Sequence, residues 1–221
     1  MSNEARLTVA CVLRSGGDYD PRWVYALKRG VARHLSLPYR FACLTDVNSV
    51  PPQWAFPLRY TWPGWWSKME LFGPGLFPDG ELVLYLDLDT LVVGSPEDLA
   101  HYPGDFGMMT GIYHDILQSG VMAFRPGPLT REVWSSWSEA PRRHMRDFRG
   151  DGRYLNSLLE GRADRLMDLY PGQIVSFKEE AREGPPPGSR LVVGHGHPRF
   201  SSPRAGWAHE EWTRVSFGGE T

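Results

Sequence analysis

The first 50 residues alternate between continuous apolar runs and a repeat with the period of a helix. Residues 7–13, LTVACVL, form an apolar run rich in strand-favouring side chains, which predicts a buried strand. Asp20 followed by Pro21 is typical of a helix start. Apolar residues then recur at the spacing of one helix face, at Val24, Leu27, Val31 and Leu35. A second apolar run at residues 39–46 completes a βαβ unit, which predicts parallel strands joined by a right-handed crossover.

The rest of the chain continues this alternation of short strands and helices. The most apolar run, residues 81–87, predicts a central strand. Further strands are predicted at residues 105–109, 119–125, 165–169 and 174–177, and helices at residues 65–72, 95–99, 129–140 and 152–161. Residues 47–64 and 179–190 are rich in proline and predict irregular loops. The pattern predicts an α/β fold with a Rossmann-like, mixed but mostly parallel sheet flanked by helices.

Composition and charge narrow the class of protein. The 221 residues suffice for one domain with a sizeable core, and no repeat or linker divides them, so we expect a single domain over residues 1–221. The net charge of -2 gives no basic surface for nucleic acid or an anionic membrane. No apolar stretch approaches the length of a membrane span, and the start of the chain lacks a secretion signal. We therefore expect a cytoplasmic protein in which Cys11 and Cys43 are buried free thiols.

A pair of carboxylates follows the central strand. In VLYLDLDTLVV, residues 83–93, Asp87 and Asp89 lie two residues apart, which places both on one side of an extended chain. In open α/β sheets, ligands bind outside the carboxyl ends of the strands. Two carboxylates at this position suit Mg²⁺ or Mn²⁺ together with substrate phosphates. The alternative is structural, since aspartates at strand ends often cap and form turns.

Two families of enzyme use an apolar strand that ends in such a pair. The segment DLDTL, residues 87–91 within this run, is similar to the first motif of haloacid dehalogenase-type phosphatases, in which Asp87 would be the nucleophile. It has the threonine of that motif but lacks its glycine. A complete βαβ unit also precedes the pair, whereas the phosphatase motif normally lies near the start of its domain. The phosphatase is therefore kept as an alternative.

The order of motifs along most of the chain points to the second family. The motifs are VACVL, WSKMELF, VLYLDLDTLVV, SGVMAF, GDGRYLN and GHGHPRF. In this order they resemble glycosyltransferase family 8, the glycogenin and galactinol synthase type. The resemblance implies a GT-A fold and a metal-dependent hexosyltransferase that retains the configuration of the transferred sugar. The donor would be a nucleotide sugar, a UDP-sugar, and the acceptor a glycan, a lipid-linked sugar, a protein or a small molecule.

The same resemblance assigns a metal site. Asp87 and Asp89 would hold Mn²⁺, or Mg²⁺ in its place, against the diphosphate of the donor. A histidine near the C-terminus completes the metal shell in the family, and GHGHPRF offers His195, which we expect to be the ligand, and His197. The sequence departs from the family pattern here, because Val193 stands three residues before the glycine where the family has its histidine.

The remaining motifs assign donor-binding and catalytic residues by resemblance. Lys68 would lie close to the donor, Ser119 would offer its hydroxyl to the donor sugar, and Asp151 would contact a sugar hydroxyl or lie next to the reacting carbon. Arg199 stands where the family has a lysine and would contact the diphosphate. The donor-binding residues expected in addition to Lys68 and the two aspartates are Leu13, Arg14, Tyr19, Leu88, Gly120 and Arg199.

Each assignment has a structural alternative. Asp151 could be a helix N-cap, Lys68 could extend from an apolar helix face to solvent, and Arg199 could be an ordinary surface residue. Three tryptophans, at 62, 65 and 66, could form a sugar-binding platform or pack against the sheet. For the whole chain, the non-enzymatic alternative is a nucleotide-sugar binding protein whose catalytic site has decayed.

Overall fold

The computed structural model describes residues 7–217. Ten strands are described in this range: β1 (Leu7–Leu13), β2 (Arg40–Thr45), β3 (Ala55–Pro57), β4 (Leu82–Leu86), β5 (Thr90–Val92), β6 (Phe106–Thr110), β7 (Leu117–Phe124), β8 (Asp164–Arg165), β9 (Ile174–Ser176) and β10 (Leu191–Val193). The α-helices are α1 (Pro21–His34), α2 (Glu97–Ala100), α3 (Pro128–Glu139), α4 (Pro141–Asp147), α5 (Asp151–Leu159), α6 (Leu166–Leu169) and α7 (Trp207–Phe217). Gly64–Phe72 and Pro203–Ala205 are 3₁₀ helices.

The larger sheet has seven strands in the order β3-β2-β1-β4-β7-β6-β8. Four of its six neighbouring pairs are parallel, and β7 runs antiparallel to both β4 and β6. This confirms the predicted mixed, mostly parallel sheet with a central strand at residues 82–86. The smaller sheet has the order β5-β10-β9. No helix within residues 7–217 combines the length and apolarity that crossing a membrane requires.

The predicted βαβ unit is formed by β1, α1 and β2. Asp20 caps α1, because its Oδ1 accepts a hydrogen bond from the Arg22 backbone N–H at 2.9 Å, and Pro21 occupies the first turn. The apolar face of α1 is buried through Val24, Leu27 and Val31. The helix thereby covers one face of the parallel β1–β2 pair, as the helical repeat predicts.

Side chains from the two faces of the large sheet enter two separate cores. Val9 and Leu84 lie in the core beneath α1, α7 and the small sheet. Ala10, Val83 and Tyr85 lie in the other core, against the Gly64–Phe72 helix, α3 and α5. Because both faces are covered, the central strands are apolar at every position rather than at alternate ones. Cys11 and Cys43, one in β1 and one in β2, are buried free thiols, as expected.

Several elements differ from the sequence-based predictions. The strand predicted at residues 165–169 is wrong, because only β8 pairs there and α6 follows it at once. A Cβ placed on Gly107 of β6 would lie 2.6 Å from Leu166 Cδ2, so α6 inserts Leu166 over this glycine instead of extending the sheet. The loop predicted at residues 47–64 contains the edge strand β3. The elements β5, α4 and α7 were not predicted.

The segment that carries the two aspartates connects the two sheets. It leaves β4 at Leu86 and enters β5 at Thr90. On one side, the Asp87 N–H donates to the carbonyl oxygen of Gly120 in β7 at 2.9 Å. On the other side, the Gly194 N–H, just after β10, donates to the Asp89 carbonyl oxygen at 2.6 Å. We call residues 87–89 the inter-sheet segment.

Candidate functional site

A cavity of about 860 Å³ lies at the carboxyl ends of β1 and β4. The inter-sheet segment, the first residues of β7 and α5, the Gly64–Phe72 helix and the loop after β10 all reach it. This is the edge of an open α/β sheet at which ligands usually bind. Among the residues predicted from the sequence, the cavity is lined by Arg14, Tyr19, Lys68, Asp87, Leu88, Asp89, Ser119, Gly120, Asp151, His195 and Arg199.

Leu13 is the predicted site residue whose side chain the structure places elsewhere. Its side chain is 1% exposed and belongs to the core beneath α1. Because successive side chains of a strand point to opposite faces, Val12 and Arg14 line the cavity instead. His197, the second candidate histidine, is exposed and is not among the lining residues described for this cavity.

The two aspartates face the cavity from a turn rather than from an extended strand. The Thr90 N–H donates to the Asp87 carbonyl oxygen at 3.1 Å, and residues 88 and 89 form the turn. The extended geometry predicted for the pair is therefore wrong, although both carboxylates do face one cavity. The turn separates their surroundings, so that each carboxylate has its own cationic partner.

Asp87 belongs to a buried cluster with Lys68, Ser119 and Asp151. Lys68 Nζ lies 2.9 Å from Asp87 Oδ1 and 3.3 Å from Asp151 Oδ2. The Ser119 hydroxyl donates to Asp151 Oδ2 at 2.5 Å, and Lys68 Nζ lies 3.3 Å from Ser119 Oγ. Asp151 is the first residue of α5, and the carboxylate is engaged by Ser119 and Lys68 rather than by a capping hydrogen bond. Four side chains from four elements thus form one network.

Burial and charge act in opposite directions on the pKa values of this cluster. Burial raises the pKa of Asp87 to about 6, although Lys68 beside it acts to lower that pKa. For Lys68, burial acts to lower the pKa, but Asp151 and Asp87 together raise it above its ordinary value. Lys68 is therefore a permanent cation between the two carboxylates at neutral pH.

Asp89 belongs to a second cluster, with Tyr19 and Arg199. Its Oδ2 accepts hydrogen bonds from the Tyr19 hydroxyl at 2.6 Å and from Arg199 Nη1 at 3.0 Å. Arg199 Nη2 donates to Asp18 Oδ2 at 2.9 Å, and its guanidinium carbon lies 4.9 Å from the centre of the Tyr19 ring. Burial and the adjacent Asp89 raise the pKa of Tyr19 above its usual value, so its hydroxyl keeps its proton.

One polar atom of Arg199 is left without a partner. Its Nε is buried and makes no hydrogen bond with any of the described residues. An unsatisfied buried donor is unfavourable, and a charged donor more so, unless a ligand or water accepts from it. Arg199 also lines the cavity, where its guanidinium group can contact an anionic oxygen of a ligand.

The donor atoms of the site suit a divalent ion in part. Asp87 and Asp89 supply the hard oxygens that Mg²⁺ and Mn²⁺ prefer. Among residues 7–217, however, no three His, Cys, Asp or Glu side chains lie close enough together to hold a metal ion. His195 Nε2 lies 2.9 Å from Ser176 Oγ, and Val193 lines the cavity beside it. The arrangement fits an ion bound by two carboxylates and by substrate phosphates, and not the expected set with His195 as third ligand.

Other residues of the site were missed by the sequence analysis. The Tyr85 hydroxyl donates to Asp87 Oδ1 at 2.6 Å. Its position two residues before Asp87 in a strand was a usable signal, because such residues share a face. Asp18, Arg149 and Arg153 also line the cavity. Nothing in the local charge pattern distinguishes these three from ordinary surface residues.

The structure assigns different environments to the three tryptophans. Trp66 is 6% exposed and stacks on Trp137 with ring centroids 5.2 Å apart. Trp62 stacks on Tyr60 with ring centroids 4.2 Å apart, away from the cavity. Trp65 is 57% exposed and lines the cavity. Packing therefore explains two of them, whereas Trp65 is positioned to contact a ligand.

Comparison with known proteins identifies the fold. The sequence matches no protein-family model and no curated protein sequence. Among solved structures, the galactosyltransferase LgtC in complex with donor and acceptor sugar analogues has a TM-score of 0.67 at 14% identity, covering 97% of this chain and 96% of that chain. The glycosyltransferase GlyE of Streptococcus pneumoniae has a TM-score of 0.67 at 14% identity, with 95% and 62% coverage. The bifunctional glycosyltransferase WbbM has a TM-score of 0.68 at 11% identity, with 99% and 50% coverage.

The chain thus spans nearly all of LgtC but only about three fifths of GlyE and half of WbbM. None of these structures supports the phosphatase alternative. At 11–14% identity the likeness concerns the arrangement of the elements and not the substrates. The chain therefore has the α/β fold of these glycosyltransferases, the GT-A fold.

Proposed function

We propose that this protein transfers a sugar from a nucleoside diphosphate sugar to an acceptor hydroxyl. The observation that carries the proposal is the pair of charged clusters at the end of β4, in a cavity of the GT-A fold. One cluster contains Arg199, a cation beside Asp89 that lines the cavity, as a diphosphate requires. The other contains carboxylates and a hydroxyl, as a sugar requires.

The donor diphosphate is proposed to lie between Arg199 and the inter-sheet segment. Arg199 donates to the phosphate oxygens and stabilises the charge that develops on the departing group. Asp87 and Asp89 are proposed to hold a divalent ion, Mn²⁺ or Mg²⁺, which supplies further positive charge to the diphosphate when bound. Arg14 and Tyr19, which line the cavity on the side of β1, are proposed to contact the nucleoside, and UDP is the first nucleotide to test.

The transferred sugar is proposed to lie against Lys68, Ser119 and Asp151. Asp151 is fixed by the Ser119 hydroxyl and the Lys68 ammonium, so it can accept a hydrogen bond from a sugar hydroxyl without moving. Gly120 lines the same region and leaves space for the sugar. In the proposed transfer, the acceptor oxygen bonds to the anomeric carbon from the face that the diphosphate leaves, and the acceptor proton passes to the diphosphate. The configuration at the anomeric carbon is then retained.

Calorimetric titration with UDP and GDP, each with Mn²⁺ or with a chelator, tests the donor assignment. Asp89→Asn should weaken Mn²⁺-dependent UDP binding by about tenfold or more, because it removes a metal ligand and a partner of Arg199. Asp79→Asn is the matched control, since Asp79 is 81% exposed and is not among the residues that line the cavity. Equal metal-dependent affinity in Asp89→Asn and wild type would contradict the metal assignment.

Release of nucleoside diphosphate from a panel of nucleotide sugars separates an enzyme from a binding protein. Turnover by the wild type that is lost in Asp151→Asn supports transfer. Binding of a nucleotide sugar without turnover of any donor or acceptor would instead support the decayed binding protein.

A further inference from the structure

We propose that Trp65, Arg149 and Arg153 bind the acceptor, and that this acceptor is a sugar carrying an acidic group, a phosphate or a carboxylate. The inference rests on the proposed function, because it assigns the second substrate of the same cavity. All three residues line that cavity, and none of them takes part in the two charged clusters described above.

Trp65 presents an aromatic surface to the cavity. Its side chain is 57% exposed, whereas tryptophan is highly buried on average. The ring lies beside Gly150 at the start of α5, because a Cβ placed on Gly150 would lie 3.5 Å from Trp65 Nε1. An exposed tryptophan ring can stack on the C–H face of a sugar at a low cost in side-chain entropy, because its side chain has only two χ angles.

The helix places this ring next to the proposed catalytic cluster. Trp65 and Lys68 lie three residues apart in a 3₁₀ helix, where side chains at this spacing are aligned on one face. The rise of about 2 Å per residue separates them by roughly 6 Å along the helix axis. A sugar ring stacked on Trp65 would therefore adjoin the sugar held by Lys68, Ser119 and Asp151.

Two arginines on the same side of the cavity indicate the charge of this ligand. Arg149 and Arg153 flank the start of α5, and both are exposed. Among the described residues, neither makes a hydrogen bond or an ion pair, whereas Arg14 and Arg199 in the same cavity are both paired. A guanidinium group binds carboxylate and phosphate oxygens in a bidentate manner. Two unpaired guanidinium groups beside an aromatic ring therefore match a sugar with an acidic substituent.

Binding of simple sugars to the protein alone tests the proposal without any donor. The probes are glucose 6-phosphate, glucuronate and methyl glucoside, compared by saturation-transfer NMR at low ionic strength, where exposed charges are least screened. At least one of the two acids should bind about tenfold or more tightly than the neutral sugar. A difference in affinity of this size corresponds to one hydrogen bond to a charged group. The tighter of the two acids identifies the acidic group.

Variants then locate the binding site. Arg149→Gln and Arg153→Gln should each weaken binding of the acid, while Arg142→Gln, an exposed arginine of α4 outside the cavity lining, should leave it unchanged. Trp65→Ala should weaken binding of every probe, and Trp65→Phe should preserve most of it. Thermal unfolding of each variant shows that it is folded.

The proposal is overturned if the neutral sugar binds as tightly as both acids, or if Trp65→Ala binds the acids as wild type does. It is also overturned if Arg142→Gln weakens binding as much as Arg153→Gln, because the effect would then be one of net charge. UDP binding is measured separately and should be unchanged in Trp65→Ala. If the wild-type protein binds acidic sugars but no nucleotide, the proposed transfer function is refuted, whereas the proposed sugar-binding site at Trp65, Arg149 and Arg153 is supported.

Discussion

Lys68 is a buried cation between two carboxylates, and the rest of the cluster is arranged around it. Lys68→Met keeps the length of the side chain but leaves Asp87 and Asp151 without their common partner. Removing one member of a buried ionic cluster typically costs about 3–5 kcal/mol. We therefore expect Lys68→Met to lower the free energy of unfolding by about that amount, measured by urea denaturation.

A second substitution tests the cause of this loss. Adding Asp151→Asn to Lys68→Met removes one of the stranded charges and should restore part of the stability. If the double variant is less stable than Lys68→Met by the full cost of Asp151→Asn alone, the two residues are not coupled. The observed contacts would then contribute little to the energy of the fold.

At the scale of elements, the N-cap residue Asp20 stabilises the start of α1, the helix of the βαβ unit that leads to the cavity. The Asp20 carboxylate accepts from the Arg22 N–H, so Asp20→Ala leaves a helix N–H without its partner. The expected loss is about 1 kcal/mol in the free energy of unfolding. Asp20→Asn is the matched control, because asparagine caps about as well as aspartate. A comparable loss in Asp20→Asn would assign the effect to the charge and its ion pair with Arg22 instead.

The elements that the sequence predicts well are those whose signals are local. The run at residues 7–13 and the helical repeat from Val24 to Leu35 each contain their own pattern, and β1 and α1 are found there. The helix α4 has no buried residue and therefore no apolar repeat from which it could be predicted. The strand β5 has three residues, and its pairing with β10 depends on a segment about 100 positions away.

The same distinction holds within the site. Asp87 and Asp89 can be identified in the sequence because two charged residues follow a long apolar run. The order of the motifs indicated the other residues of the site. The resemblance assigned Lys68 and Arg199 to the same site, but their ion pairs with the aspartates could not be predicted, since Lys68 is 19 positions from Asp87 and Arg199 is 110 positions from Asp89. The departure of residues 87–89 from the extended geometry likewise follows from hydrogen bonds to Gly120 in the large sheet and to Gly194, just after β10 of the small sheet.

At the scale of the whole molecule, the large sheet separates two cores. The loss of stability caused by a substitution in one core should therefore be independent of a substitution in the other. Val31 in α1 and Val133 in α3 are each 1% exposed, in different cores. Each change to alanine should cost about 1–3 kcal/mol. In the double variant, the two losses should add to within about 0.5 kcal/mol, measured by denaturant unfolding.

A pair within one core provides the comparison. Trp66 and Trp137 stack directly, so Trp66→Leu and Trp137→Leu should deviate from additivity by about 0.5–1.5 kcal/mol. Strong coupling between Val31→Ala and Val133→Ala, as large as that between the two tryptophans, would contradict the separation of the cores.

The inter-sheet segment gives the small sheet a part in ligand recognition. Because residues 87–89 are hydrogen bonded to β7 on one side and to the end of β10 on the other, the spacing of the two carboxylates depends on how the sheets are docked. A ligand that binds best at one spacing of the two carboxylates favours one arrangement of the two sheets. The free energy of ligand binding is then coupled to the position of the small sheet. Amide hydrogens of β9, none of whose residues is among those that line the cavity, should consequently exchange more slowly with solvent deuterium when UDP is bound.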